Sequence, residues 1–291
     1  MKKLLIFILL LSIFYIPSLK VEANGLPYST FTYSSSQGRI VPTQDAYLPL
    51  SISYNLGGET LSSPRDITID RDDNIYIADY GNGRIIKYSL RTDQVSIIGE
   101  NVLNQPSGVH VGLDNHLYVA DFGNKEAYQF LYDPNTDTYT LGVTYSKPTN
   151  TPFFRENDPF EPTKIITDRG HNVYLLLAGN INGLAEFENN GNFFGFFGGN
   201  RIPNTWDNVL RSLLFDEQQR RQWFQMIPKP VYNVAVDNDG LILTTTKGEQ
   251  GYLKLNIANL VFNESVWGFE NTEDLFVGPY DTIFAITEDG Y

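Results

Sequence analysis

From Ile67 onward the chain alternates short apolar runs with clusters of Asp, Asn, Gly and Thr, and the runs come in groups. In the first group Ile67-Thr68-Ile69-Asp70 is followed by Ile75-Tyr76-Ile77-Ala78-Asp79, then by Arg84 to Leu90 and Val95 to Gly99. Each run is short, rich in Ile, Val and Tyr, and bounded by turn formers, which predicts strands joined by tight turns rather than helices. The group then recurs. Pro64-Arg65-Asp66-Ile67 and Asn74-Ile75-Tyr76-Ile77-Ala78-Asp79-Tyr80-Gly81-Asn82 align with Pro106-Ser107-Gly108-Val109 and His116-Leu117-Tyr118-Val119-Ala120-Asp121-Phe122-Gly123-Asn124. With Ile67 as anchor, the equivalents are Val109, Ile165, Val234 and Leu275, and the next strand follows eight residues later, or seven at Leu241. A unit of four antiparallel strands cannot cover both of its faces alone and must stack on its neighbours, so the pattern predicts an all-β protein, a β-propeller of four-stranded blades.

The motif of an apolar strand ending in Asp, a short turn, Asn-Ile-Tyr-Ile-Ala-Asp and then Gly-Asn-x-Arg resembles the NHL repeat. The resemblance is sharpest in the first two units, and it extends more loosely from about Pro64 to Gly290. It decays along the chain: the position of Asp79 and Asp121 becomes Leu177, Thr245 and Thr287. The resemblance implies a propeller, commonly six-bladed. Some similar propellers are metal-dependent lyases and others are gluconolactonase-like hydrolases that use calcium.

About four and a half to five blades are expected within residues 24–291, because the fifth unit stops on the turn where its third strand should begin. Thr30 to Gly38 and Leu50 to Gly58 have the pattern of a third and an outer strand. Two arrangements are open: residues 24–60 complete the fifth blade, or the chain is a truncated part of a longer, six-bladed ring, the preferred expectation. The anchor spacings of 42, 56, 69 and 41 residues place extra chain in two connectors, about residues 144–160 and 203–228. Both connectors join an outer strand to the next inner strand, so both decorate one rim. In the larger one Val209, Leu210, Leu213, Leu214 and Phe215 fall at helical spacing, which predicts a short helix closed by Pro228.

Residues 1–23 have the pattern of a cleaved export signal: Lys2 and Lys3, an apolar run from Leu4 to Ile16, and Ala23 at the cleavage point. The run is too short for a retained anchor, and no later stretch of the mature chain predicts a transmembrane segment. A secreted or cell-surface location is therefore expected. The absence of Cys suits that location, since no thiol is left to oxidise. Net charge is −13 with pI near 4.6, and removal of residues 1–23 takes it to −15. Nucleic acid is excluded as a partner, because phosphate binding needs clustered Lys and Arg.

Candidate chemistry is sparse. The residues just before the anchors, Asp66, Gly108, Lys164, Asn233 and Asp274, should ring the channel mouth. Asp66, Asn233 and Asp274 could supply oxygen ligands to a calcium ion; the alternative is a solvated ring in which Lys164 pairs with Asp66 or Asp274. No cofactor other than calcium is expected. The recurring Asp70, Asp168 and Asp237, and Asp79 and Asp121 with their Asn partners, are assigned to turns, where such side chains bond nearby backbone. Tyr76, Tyr118 and Tyr174 are assigned to packing between sheets. Phe193, Phe194, Phe196 and Phe197 form an outer strand in which inter-blade packing is favoured over an exposed aromatic strip. His110, His116 and His171, the only imidazoles, fall at different places in the blades, which disfavours a metal-holding triad. No nucleophile elbow, zincin or phosphate-loop motif is present. Phe153, Phe154, Arg155, Trp206 and Trp223 lie in the rim insertions as candidate contacts. The expectation is an exported recognition module for a glycan, peptide or protein, with a calcium-dependent lactonase-type hydrolase as the alternative.

Overall fold

The computed structural model describes residues 31–34, 36, 38–42, 53–149, 151, 153–154, 156–179, 182–198, 231–246, 251–256, 261–263, 271–278 and 282–287. Two small hairpins come first: β1 (Phe31–Ser34) with β2 (Arg39–Pro42), and β3 (Asn55–Leu56) with β4 (Glu59–Thr60). Blade 1 follows as β5 (Asp66–Ile69), β6 (Asn74–Asp79), β7 (Arg84–Ser89) and β8 (Val95–Ile98). Blade 2 is β9 (Pro106–Val111), β10 (Leu117–Asp121), β11 (Glu126–Asp133) and β12 (Thr138–Tyr145). Blade 3 is β13 (Pro162–Thr167), β14 (Val173–Leu177), β15 (Leu184–Phe187) and β16 (Phe193–Phe197). Blade 4 is β17 (Val231–Val236), β18 (Ile242–Thr246), β19 (Tyr252–Leu255) and β20 (Val261–Asn263). A fifth unit has its first two strands, β21 (Thr272–Val277) and β22 (Ile283–Thr287).

All four blades are antiparallel meanders with strands in chain order, so the architecture is the expected propeller. The first blade matches its predicted strands to within a residue or two. The hairpin β1–β2 turns earlier than the sequence pattern suggested, because Gly38 takes a left-handed φ of +62° and brings Arg39 back beside Ser34. Residues 1–23, the helical pattern within 203–228, and Arg155, Trp206 and Trp223 lie outside the described residues. Among the described residues no helix is long and apolar enough to cross a membrane.

The core lies between blades. Tyr76, Ala78 and Ile85 of blade 1 pack on Val109, Leu117 and Val119 of blade 2; Tyr118, Ala120 and Ala127 pack on Ile165, Val173 and Leu175; Tyr174 and Leu184 pack on Val234 and Ile242. The anchors Val109, Ile165 and Val234 therefore each seal their own blade to the one before it. Side chains at period two on each strand make both faces of a blade apolar, and stacking removes both from water at roughly 25 cal/mol per Å². Ile67 has no such seal and is 64% exposed, whereas Ile165 is 2% exposed.

Candidate functional site

The turns between second and third strands meet the inter-blade connectors on one rim, and the recurring Asp holds them together. Asp79 is fully buried; its carboxylate accepts the Ser62 backbone N–H at 2.6 Å, the Asn82 amide and the Arg84 guanidinium. Asp121 does the same for the backbone N–H groups of Asn104, Gln105 and Asn124. A charged acceptor of this kind satisfies several otherwise orphaned donors at once, which is why the residue recurs. These carboxylates are structural.

A second repeated element runs through the middle of each blade and joins groups that the sequence reading kept apart. In blade 3 the Tyr174 hydroxyl donates to Asp168 at 3.0 Å, and Glu186 lies opposite Tyr174 on β15. In blade 2 the Tyr118 hydroxyl donates to Asp114 and accepts from Gln129, its cross-strand neighbour. In blade 1 Tyr76 donates to Asp70 at 3.0 Å and stands opposite Lys87. In blade 4 Leu243 replaces the Tyr, and Lys254 reaches Asp237 directly at 2.6 Å. The Tyr residues are buried, as expected, yet they also carry a polar row. Asp114 escaped the sequence alignment because Gly112 holds the regular position and the carboxylate sits two residues later. Burial and the adjacent carboxylates raise the Tyr76 and Tyr174 hydroxyls well above their ordinary pKa, so both remain donors. Burial likewise raises Glu186.

On the first strands of blades 1 and 3, Asp66 and Lys164 meet across blade 2. The Lys164 ammonium lies 2.5 Å from Asp66, and the other Asp66 oxygen accepts the Val109 N–H at 2.8 Å. Gly108 makes this approach possible: a Cβ there would sit 2.8 Å from both the Lys164 Cα and the Thr163 carbonyl oxygen. Burial raises the Asp66 pKa, and Lys164 opposes the rise. Asn233 forms a separate pair, donating its amide to Asp274, whose carboxylate also accepts the Leu275 N–H at 2.8 Å. The set does not fit a calcium ion as arranged, because Lys164 already supplies the cation beside Asp66 and the amide nitrogen of Asn233, not its oxygen, faces Asp274.

The three imidazoles serve different partners. His110 Nε2 lies 3.2 Å from the Thr167 hydroxyl, His116 Nδ1 accepts the Tyr132 N–H at 3.1 Å, and His171 Nδ1 is 3.1 Å from Asp114 without hydrogen-bond alignment. Burial pushes His110 down to about 4.

The outer edge of blade 3 is aromatic. Phe154 packs against Phe160, Phe193 and Phe196 with ring centroids 5.3 to 5.9 Å apart, and Phe153 leans edge-on against Phe193 and Phe196. Phe193 and Phe196 are three apart and would face opposite ways on a regular strand. A register shift, in which Glu186 opposes Gly195 while Phe187 opposes Phe193, puts them on one face and turns Phe194 outward. Phe197 closes the other face against Tyr174. Packing thus accounts for Phe154, Phe193, Phe196 and Phe197, while Phe153 and Phe194 stay 52% and 70% exposed.

The family model for the NHL repeat matches residues 61–88, which span the connector and first three strands of blade 1. The chain is a β-propeller with an NHL repeat in its first blade. A streptogramin B lyase structure superposes on this propeller with a TM-score of 0.52 at 12% identity, covering 90% of this chain and 70% of that one. A virginiamycin B lyase from Staphylococcus aureus, an inactive variant with quinupristin, gives 0.48 at 9% identity over 87% of this chain and 75% of that one. A protein from Lactobacillus plantarum gives 0.49 at 10% identity, over 90% of this chain and 84% of that one. At 12% identity the likeness to the streptogramin B lyase structure is one of fold alone. No curated protein sequence matches it.

Proposed function

We propose that this NHL propeller is an exported recognition module, not an enzyme, and that its insertion-bearing rim takes a protein, peptide or glycan partner. The observation that carries the reading is the pair Phe153 and Phe194, left in water by a bulge and an insertion at the edge of blade 3, where the rest of the aromatic set is consumed by packing. Exposed aromatics on a rigid scaffold are the usual anchors of recognition surfaces, because they bury large area at small cost in side-chain entropy. The acidic balance of the chain favours a neutral or basic partner. Export rests on the pattern of residues 1–23. The alternative, a calcium-dependent lactonase-type hydrolase, needs Asp66, Asn233 and Asp274 as ligands and receives less support, since each already has a protein partner.

The test is binding of the exported chain to arrays of peptides and glycans, beside a variant carrying Phe153→Ser and Phe194→Ser. Saturable binding that weakens at least tenfold in the variant, at unchanged Tm, is expected. Binding of equal strength in the variant, or no saturable partner at all, would overturn the rim as the recognition surface.

A further inference from the structure

On the rim opposite the insertions, blades 1 and 2 flank a half-open cavity of about 240 Å³. It exists because the blades differ in length. β11 and β12 have eight residues each, whereas β7 and β8 have six and four, so the tip of the longer hairpin overhangs the outer half of blade 1. The overhang carries Tyr132 and Asp137. Its back wall is Lys87, whose side chain is only 7% exposed although it stands in the apolar strand Ile85-Ile86-Lys87-Tyr88. The ammonium is held 2.5 Å from Asp137 and lies 5.4 and 5.7 Å from the ring centres of Tyr132 and Tyr139. Tyr132 also donates its hydroxyl to Asp137 at 3.0 Å, and Tyr139 bonds the Tyr76 hydroxyl at 2.8 Å, so the wall is rigid. The opposite side is lined by Ser89, Thr92, Gln94 and Ser96, which make no side-chain hydrogen bond to other described residues.

We propose that this cavity is a binding site for a single neutral pyranose unit, free or at the end of a glycan. The charge balance argues for a neutral ligand: one Lys and one Asp neutralise each other, and the remaining lining is hydroxyl and amide. Such a lining both donates and accepts, as the hydroxyls of a sugar do, and leaves a free phosphate or carboxylate facing the Asp137 charge. The volume is below the usual range for drug-sized ligands and matches one ring. The site lies between blades 1 and 2, apart from the outer edge of blade 3 that carries Phe153 and Phe194, so its failure would leave that surface untouched.

Saturation-transfer NMR on the full chain with glucose, galactose, mannose and N-acetylglucosamine, and with methyl phosphate, whose methyl protons report transfer, as the charged phosphate control, tests the proposal. The expected result is saturable transfer to at least one sugar, with Kd in the millimolar range, none to phosphate, and loss of at least tenfold in affinity in Ser96→Trp. Ser96 is exposed, so that variant fills the cavity without loading the core, and an unchanged Tm verifies its fold. Absence of saturable transfer from every sugar at roughly 50 mM, where a millimolar site would be full, overturns the proposal, as does phosphate binding in preference to sugar or equal binding in Ser96→Trp.

Discussion

At the residue scale the NHL propeller spends its charged side chains on structure. Asp79, Asp121, Asp168 and Asp237 are all buried, each with two or more donors or an ion-pair partner, and removal of such a carboxylate strands backbone N–H groups that water cannot reach. His110 is the residue with the clearest pH consequence. Its folded pKa of about 4 lies below the ordinary 6.5, so between those values the unfolded chain binds more protons than the folded one. Stability is then lost as pH falls from 6.5 towards 4 and is regained on the way up. The groups facing His110 are Thr167, which stays uncharged, and Asp114, whose charge works against the depression. Urea unfolding at several pH values should show a shallower acid loss in His110→Asn than in the parent; parallel curves would remove His110 as the cause. Asp66 acts in the opposite sense, because its pKa is raised, so Asp66→Asn should not reproduce that flattening.

At the element scale, blade 3 shows what a strand pattern reveals and what it hides. Five aromatic or glycine positions in a row predict an outer strand, and β16 is one. Alternation cannot say where a bulge falls, because that is decided by the partner strand β15 and by Phe154 folding onto it from the insertion. The exposure of Phe194 was therefore not legible, although the aromatic strip was. Phe187 is 1% exposed and touches Tyr145, Phe160 and Phe193, so Phe187→Ala should cost about 3 to 5 kcal/mol. Phe194→Ser should change stability by no more than about 0.5 kcal/mol. Comparable losses in the two variants, read by urea unfolding, would mean that the bulge does not turn Phe194 outward. The buried polar row was half legible: Asp70, Tyr76 and their repeats were visible in register, but the facing position changes from Lys87 to Gln129, Glu186 and Lys254, with no one residue type kept from blade to blade, so no sequence signal linked them. A lysine in the middle of an apolar strand was the available hint.

At the scale of the whole molecule, stability should be distributed along the series of blades, because the anchors Val109, Ile165 and Val234 each pack on the preceding blade. Ile67 and Ile165 occupy the same repeat position with the same side chain, yet one is exposed and the other sealed. Ile165→Ala should cost about 2 to 5 kcal/mol and Ile67→Ala no more than about 1 kcal/mol. Equal costs would show that a further element covers the outer face of blade 1 in solution. The repeat itself was the most legible feature of the chain, since five anchors kept one register through insertions of different length. Asp66, Lys164, Asn233 and Asp274 lie on the first strands of their units, and the pairing of Asp66 with Lys164 depends on Gly108 clearing the path between them, a tertiary fact.

That pairing also carries the choice between recognition and metal-assisted hydrolysis. The most direct measurement is thermal unfolding of the chain with and without calcium, with lactone hydrolysis followed in the same samples. Recognition predicts a Tm that calcium leaves unchanged and no hydrolysis above the uncatalysed rate. A calcium-dependent rise in Tm, lost in Asp66→Ala and in Asp274→Ala, would contradict it.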